Sequence, residues 1–248
     1  MKRFFLGLLV LVTLSSCKTL DGTSPARKHD FRPSAANEAK IGRVYSNVLR
    51  IGAIAAPLPP GNWELISWRN WRASNNDQVH STIFAQHNGR HVTELLNIRT
   101  SENTAAHGWQ ISRICQSSNW HHIEVESYAG GIGEGLCWGV AHSVWSAAFK
   151  GALEENRRDI IDWSRSRNLH PFNFGIARVY YAGRRNFILM KHTINPVALG
   201  YPDQPGLAWK GHPWSVENLP AGPPAHAFVQ DQIREAEIWW QSFRESWF

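Results

Sequence analysis

The residues best able to do chemistry crowd into one stretch of the chain: His121, His122, Glu124, Glu126, Cys137 and His142. Imidazole, thiolate and carboxylate are the ligands a zinc ion prefers. On a β-strand His122, Glu124 and Glu126 would share one face, because side chains alternate. No HExxH or CxxC occurs, however, and alternating polar residues on the wet face of a strand explain the same letters. Cys137 and His142 would suit a thiol nucleophile and its base. Their neighbours match no cysteine-hydrolase motif, and no GxSxG serine elbow is present. The run Gly130-Gly131-Ile132-Gly133-Glu134-Gly135 lacks the spacing of a dinucleotide loop and the Lys-Ser or Lys-Thr of a phosphate loop. It reads as a turn between strands. The sequence thus assigns no catalytic residue, no cofactor and no metal ligand.

Tryptophan is the other unusual resource, at thirteen residues. An indole buries a large area in a core, and an exposed ring face can stack on a sugar or a base. Trp145, Trp163, Trp240 and Trp247 fall at core-facing helix positions. Trp63, Trp68 and Trp71 follow a proline-rich turn. Trp209 and Trp214 lie in a Pro-, Gly- and Trp-rich segment from 195 to 224. Long irregular segments of this kind are usually functional or loosely ordered, so these two rings are the candidates for ligand stacking.

The elements that would position such residues are mostly strands. Val48 to Ala56 is apolar and stops at Pro57, Pro59, Pro60 and Gly61. Asn62 to Trp71, Val79 to Gln86 and His91 to Ile98 follow. The last two flank His87-Asn88-Gly89-Arg90, where Asn-Gly predicts a tight hairpin with both central residues at positive φ. Trp109 to Cys115 and His121 to Tyr128 continue the pattern. In the latter, Ile123 and Val125 alternate with His122, Glu124 and Glu126, as on a half-buried strand. Trp145, Phe149, Ala152, Asn156, Ile160 and Trp163 recur at helical spacing, which predicts a helix near 143–167. Glu154 and Arg158 form an i, i+4 pair on its outer side. Phe174 to Tyr181 and Asn186 to Thr193 read as a second hairpin. A C-terminal helix near 225–246 carries Val229, Ile233, Ala236, Trp240, Phe243 and Trp247 on one stripe. The fold class expected is α+β: a twisted antiparallel sheet of roughly six to eight strands with two packed helices.

The N-terminus supplies an address. Lys2 and Arg3 precede an apolar run from Phe4 to Leu14. The run is shorter than the about 20 residues needed to span a bilayer, and it has the length of a signal-peptide core. Leu14-Ser15-Ser16-Cys17 follows: an aliphatic residue, two small residues and cysteine. These residues resemble the lipobox of bacterial lipoproteins. That resemblance covers only the first 17 or so residues. It implies a diacylglyceryl group on the Cys17 sulfur, cleavage before Cys17 and acylation of the new amino group, a stable anchor of more than one chain. Lys at position 18, in place of Asp, implies the outer membrane. Residues 17–43 then read as lipidated cysteine and flexible tether, and 44–248 as one domain facing the periplasm. With Cys17 lipidated, Cys115 and Cys137 remain as an even pair in an oxidising compartment, which suggests a disulfide. Two free buried cysteines or one catalytic thiol are the alternatives.

Composition bounds the function. Apolar residues make up 43% and charged residues 19%, the balance of a chain that buries a core. The net charge of +6 falls by two, to +4, when Lys2 and Arg3 leave with the signal segment. Arg157-Arg158 and Arg184-Arg185 are isolated pairs, not the basic stripe of a nucleic-acid binder, so nucleic acid is not among the expected partners. The expected function is a non-catalytic accessory or binding domain of the cell envelope. Its partners would be the membrane, through the lipid, and peptidoglycan, lipopolysaccharide or another envelope protein. A periplasmic hydrolase acting on envelope polymer is the alternative, and a deep pocket with two convergent titratable groups would favour it.

Overall fold

The computed structural model of the chain describes residues 40–51, 54–72, 78–101, 113–116, 119–127, 135–144, 152–170, 174–183, 186–203, 212–219 and 223–247. The signal segment, the motif ending at Cys17, Trp109, Gly130 to Glu134, Trp145, Phe149 and Trp209 lie outside the described residues. The fold is α+β. Eight strands form one antiparallel sheet: β1 (Val44–Tyr45), β4 (Trp63–Arg72), β5 (Gln78–His87), β6 (Val92–Ser101), β7 (His122–Ser127), β8 (Gly135–Val144), β9 (Phe174–Gly183) and β10 (Phe187–Ile194). Their order across the sheet is β1-β4-β5-β6-β10-β9-β8-β7. A separate two-stranded sheet pairs β2 (Val48–Ile51) with β3 (Ile54–Pro57). Two helices complete the described fold, α1 (Ala152–Ser166) and α2 (Pro223–Trp247). None of the described helices is long and apolar enough to cross a membrane.

Strand register decides which side chains meet. Directly paired residues share a face of the sheet. One face therefore collects Leu65, Phe84, Leu96, Ile98, Ile188, Met190, Ile176, Tyr180 and Trp138. These residues, with Leu49 and Ile54 of the small sheet and Val229, Ala236, Trp240 and Phe243 of α2, form the main core. The other face is covered at one end by α1. Ile160 and Trp163 pack there with Ile66, Ile83, Ala85, Val92, Leu95 and Leu169. The molecule is thus layered, with helix on either side of the sheet.

Several expected elements differ, each for a physical reason. The apolar run Val48 to Ala56 is a hairpin folded on itself, both arms contributing to the main core. The helix expected from 143 starts later. Ser143 and Val144 still pair with Gly175 and Phe174 in β8, and the helix begins at Ala152. It ends at Ser166, and Asn168 just beyond it has a left-handed φ of 54°. Leu169 N–H donates to Ser164 and Asn168 N–H to Arg165, 2.9 and 3.0 Å away, closing the last turn in a Schellman arrangement. The Asn88-Gly89 turn has only Gly89 at positive φ, 86°. Asn88 Oδ1 instead accepts from the N–H groups of Arg90 and His91 at 3.1 and 2.8 Å. The register slips between Gln86 and His87, as a bulged hairpin requires. Cys115 ends no strand: it sits in a 3-10 turn, Arg113–Gln116.

Candidate functional site

The polar residues singled out around β7 and β8 do not converge. Cys137 lies beside Cys115, with their Cα atoms 5.9 Å apart and their sulfurs at bonding distance. The carboxylates of β7 serve structure, Glu124 within the sheet and Glu126 against α2. Glu124 accepts from Trp138 Nε1 at 3.0 Å. Glu126 accepts from Trp240 Nε1 at 3.4 Å and Arg244 Nη1 at 3.2 Å. Val125, expected on the inner face, is 48% exposed, because β7 is an edge strand. His121 lies 6.2 Å from the ring of His142, which stacks on His212 at 5.7 Å. Burial pushes the His121 pKa down to about 4, against a hydrogen bond to the Trp214 backbone. Among the described residues, no three His, Cys, Asp or Glu side chains are placed to hold a metal.

Trp214 requires a correction. It is not an exposed stacking platform. Only 5% of it is accessible, and it packs edge-on against Tyr201 and Phe228, with Phe174 at 5.7 Å. The irregular segment folds this ring into the core, where its large apolar area is worth most.

The cavity that does gather chemistry lies on the main-core face of the sheet, under α2. It holds about 430 Å³, within the range of small-molecule sites. Three neighbouring strands each place one polar side chain in an otherwise apolar row. On β10, His192 sits between Met190 and Ile194. Arg178 of β9 lies directly opposite it. Glu94 of β6 lies opposite Ile194, one diagonal step from His192. Glu94 Oε2 and His192 Nε2 are 2.5 Å apart. Arg178 donates through Nε and Nη2 to Oε1 of Gln232 on α2, at 3.0 and 2.6 Å.

Second contacts hold this row in place. Trp63 meets the His192 ring edge-on at 5.3 Å, and its Nε1 donates to the Pro59 carbonyl at 2.8 Å. Asn195 ties the end of β10 to β6. Its Nδ2 donates to Val92 O at 2.6 Å, and its Oδ1 caps the 3-10 turn Pro196–Leu199 by accepting from Val197 N–H. Pro59 and Pro60 form one wall, and Leu199, Ile238 and Trp239 stand around the cavity. Leu199 and Ile238 are 59% and 66% exposed, an apolar rim over a polar floor.

The charge states follow from burial. Desolvation disfavours imidazolium, so His192 is held below its ordinary range although Glu94 opposes this. Burial also works against the Glu94 carboxylate, but His192 and Arg178 outweigh it and keep the group below its ordinary value. At neutral pH the pair is therefore a neutral imidazole donating Nε2–H to an ionised carboxylate. Nδ1 is then the ring nitrogen that carries a lone pair. Such an oriented histidine can accept a hydrogen bond or a proton from a bound hydroxyl or water.

Sequence reading missed all three residues. Their signal is present nonetheless: Glu94, Arg178 and His192 each interrupt an alternating apolar row, in Glu94-Leu96-Ile98, Ile176-Arg178-Tyr180 and Met190-His192-Ile194. No family model matches the chain, and no match to it was found among curated proteins or solved structures.

Proposed function

We propose that the protein is a bacterial lipoprotein, anchored in the outer membrane through Cys17, whose domain binds a hydroxyl-rich fragment of envelope polymer in the cavity beneath α2. The observation that carries this reading is the composition of the cavity. Planar hydrogen-bonding groups of Glu94, Arg178, Asn195 and Gln232 line it beside the indole of Trp239. That combination suits a sugar ring, which offers hydroxyls at its edges and an apolar face to an aromatic ring. Charge narrows the choice. One guanidinium faces two carboxylates, Glu94 and Glu235, so the cavity does not favour a strongly anionic ligand such as the lipopolysaccharide core. The amino-sugar chain of peptidoglycan fits better.

A hydrolytic reading has one observation in its favour: the Glu94–His192 pair has the geometry of a base and the carboxylate that orients it. The two readings separate in one experiment. The full chain, in detergent, is titrated calorimetrically with a soluble peptidoglycan disaccharide-peptide. Products are then sought by mass spectrometry after prolonged incubation. Saturable binding that weakens at least tenfold in Arg178→Met, with no cleavage, is the result expected. Cleavage lost in His192→Gln would establish the enzyme. Absence of binding to any envelope glycan would overturn the ligand assignment.

A further inference from the structure

We infer that a second cleft, on the opposite face of the sheet, binds a small organic anion headed by a carboxylate or a phosphate monoester. This cleft holds about 180 Å³ and opens between α1 and the Arg113–Gln116 turn. It is separate from the cavity under α2. The register puts Arg99 opposite Leu189, and Asn97 opposite Lys191, so Arg99 and Lys191 are diagonal neighbours on one face, about 7 Å apart by strand geometry.

Arg99 carries the argument. Its side chain is half-buried, and Nε is buried with no hydrogen-bond partner among the described residues. No carboxylate is among the described residues that line the cleft. Another arginine on this face is treated differently. Arg69 lies two strands away and is met by both oxygens of Asp159, at 2.8 and 2.9 Å, and by Glu155 at 2.8 Å. Arg69, which ties β4 to α1, is supplied with carboxylates. A guanidinium N–H withdrawn from water without a partner is costly, and the orphaned Nε of Arg99 calls for an explanation. The fork of a guanidinium matches carboxylate and phosphate geometry.

The neighbours fit the same ligand. Lys191 donates from Nζ to Ser143 Oγ at 2.7 Å. Burial and the charge of Arg99 push its pKa down to about 8, a repulsion that an anion between the two cations would relieve. Asn156 of α1 brings a buried Oδ1 without a hydrogen-bond partner. The amide can be turned to present Nδ2 instead, since orientation follows the available partner. Ile83, Leu95 and Leu189 supply apolar walls, which suit the carbon body of an organic anion. A smaller hollow of about 90 Å³ continues past Lys191 and Ile114 towards Trp120.

The test is made on the full chain, labelled with ¹⁵N-arginine, by titration with hexanoate and separately with glycerol phosphate at ionic strength fixed with chloride. A saturable shift of the Arg99 Nε–H signal is expected, with that of Arg69 unmoved and the melting temperature raised. A response to hexanoate alone assigns a carboxylate, and to glycerol phosphate alone a phosphate monoester. Arg99→Lys, which keeps charge but loses the fork, should bind at least tenfold more weakly. The proposal is overturned if neither probe moves the Arg99 signal, if chloride moves it equally, or if Arg99→Lys binds as tightly as wild type. The wild-type titration decides alone should that variant fail to fold.

Discussion

Trp214→Ala tests how the proline- and tryptophan-rich segment is used. The ring is 5% exposed and touches three aromatic neighbours, Phe174, Tyr201 and Phe228, at 5.2–5.7 Å between centroids. Replacing a buried Trp by Ala costs about 3–5 kcal/mol, from lost transfer energy and the cavity left behind. That is a large part of the about 5–15 kcal/mol that holds an ordinary domain folded. For a domain of this size each kcal/mol shifts the melting temperature by about 2–4 °C, so a fall of roughly 6–20 °C is expected. Trp214→Phe, which keeps an aromatic ring in the slot, should lose less than half as much. Thermal unfolding followed by circular dichroism reads both. A melting temperature within two degrees or so of wild type for Trp214→Ala would refute the core placement and return this ring to the surface.

Three further outcomes are expected. The first concerns pH. Burial disfavours the protonated forms of His121 and His192 only in the folded state, so their contribution to stability is complete above about 6.5 and declines as pH falls below it, for His121 down to about 4. Glu94, held below its ordinary value in the fold, adds a second loss below about 4.5. Urea midpoints should therefore drop between pH 7.5 and 5 and again below 4.5, and a flat profile from 7.5 to 5 would contradict the buried neutral histidines. The second concerns Cys115 and Cys137, 22 positions apart. Protein purified without reductant should show neither thiol on denaturation, and reduction should lower stability by roughly 3 kcal/mol; two reactive thiols would refute the bridge. The third concerns the anchor: Cys17→Ala should abolish palmitate labelling and membrane fractionation, and labelling that persists in the variant would sink the lipoprotein reading.

Periodicity made the outline of the fold legible. Apolar and β-prone runs bounded by turn signals marked β4, β5, β6, β9 and β10 to within a few residues, and the stripe from Val229 to Phe243 marked α2. What failed was local chemistry that letters do not carry. Asn88 reads as half of a two-residue turn until its side chain is seen capping the backbone beyond it. Val48 to Ala56 reads as one apolar run because both arms of its hairpin bury in the same core. The site was missed for a related reason. Polar residues were sought where they cluster along the chain, around His121 to His142, and there each found a structural partner. Glu94 is far in sequence from Arg178 and His192, which face each other across one hairpin, and the three line up only when β6 pairs with β10. One polar residue in an apolar row is a weak mark by itself, and three such rows became informative only when the register laid them side by side.

The ligand proposed for this domain sits against His192 beneath α2. The most direct measurement follows the ring-nitrogen signals of ¹⁵N-histidine in the full chain as a peptidoglycan disaccharide-peptide is added. Saturable movement of the His192 signals, with those of His87, His91 and His170 unmoved, is the result predicted. Binding that leaves His192 unchanged while other histidines shift would place the ligand outside the cavity beneath α2.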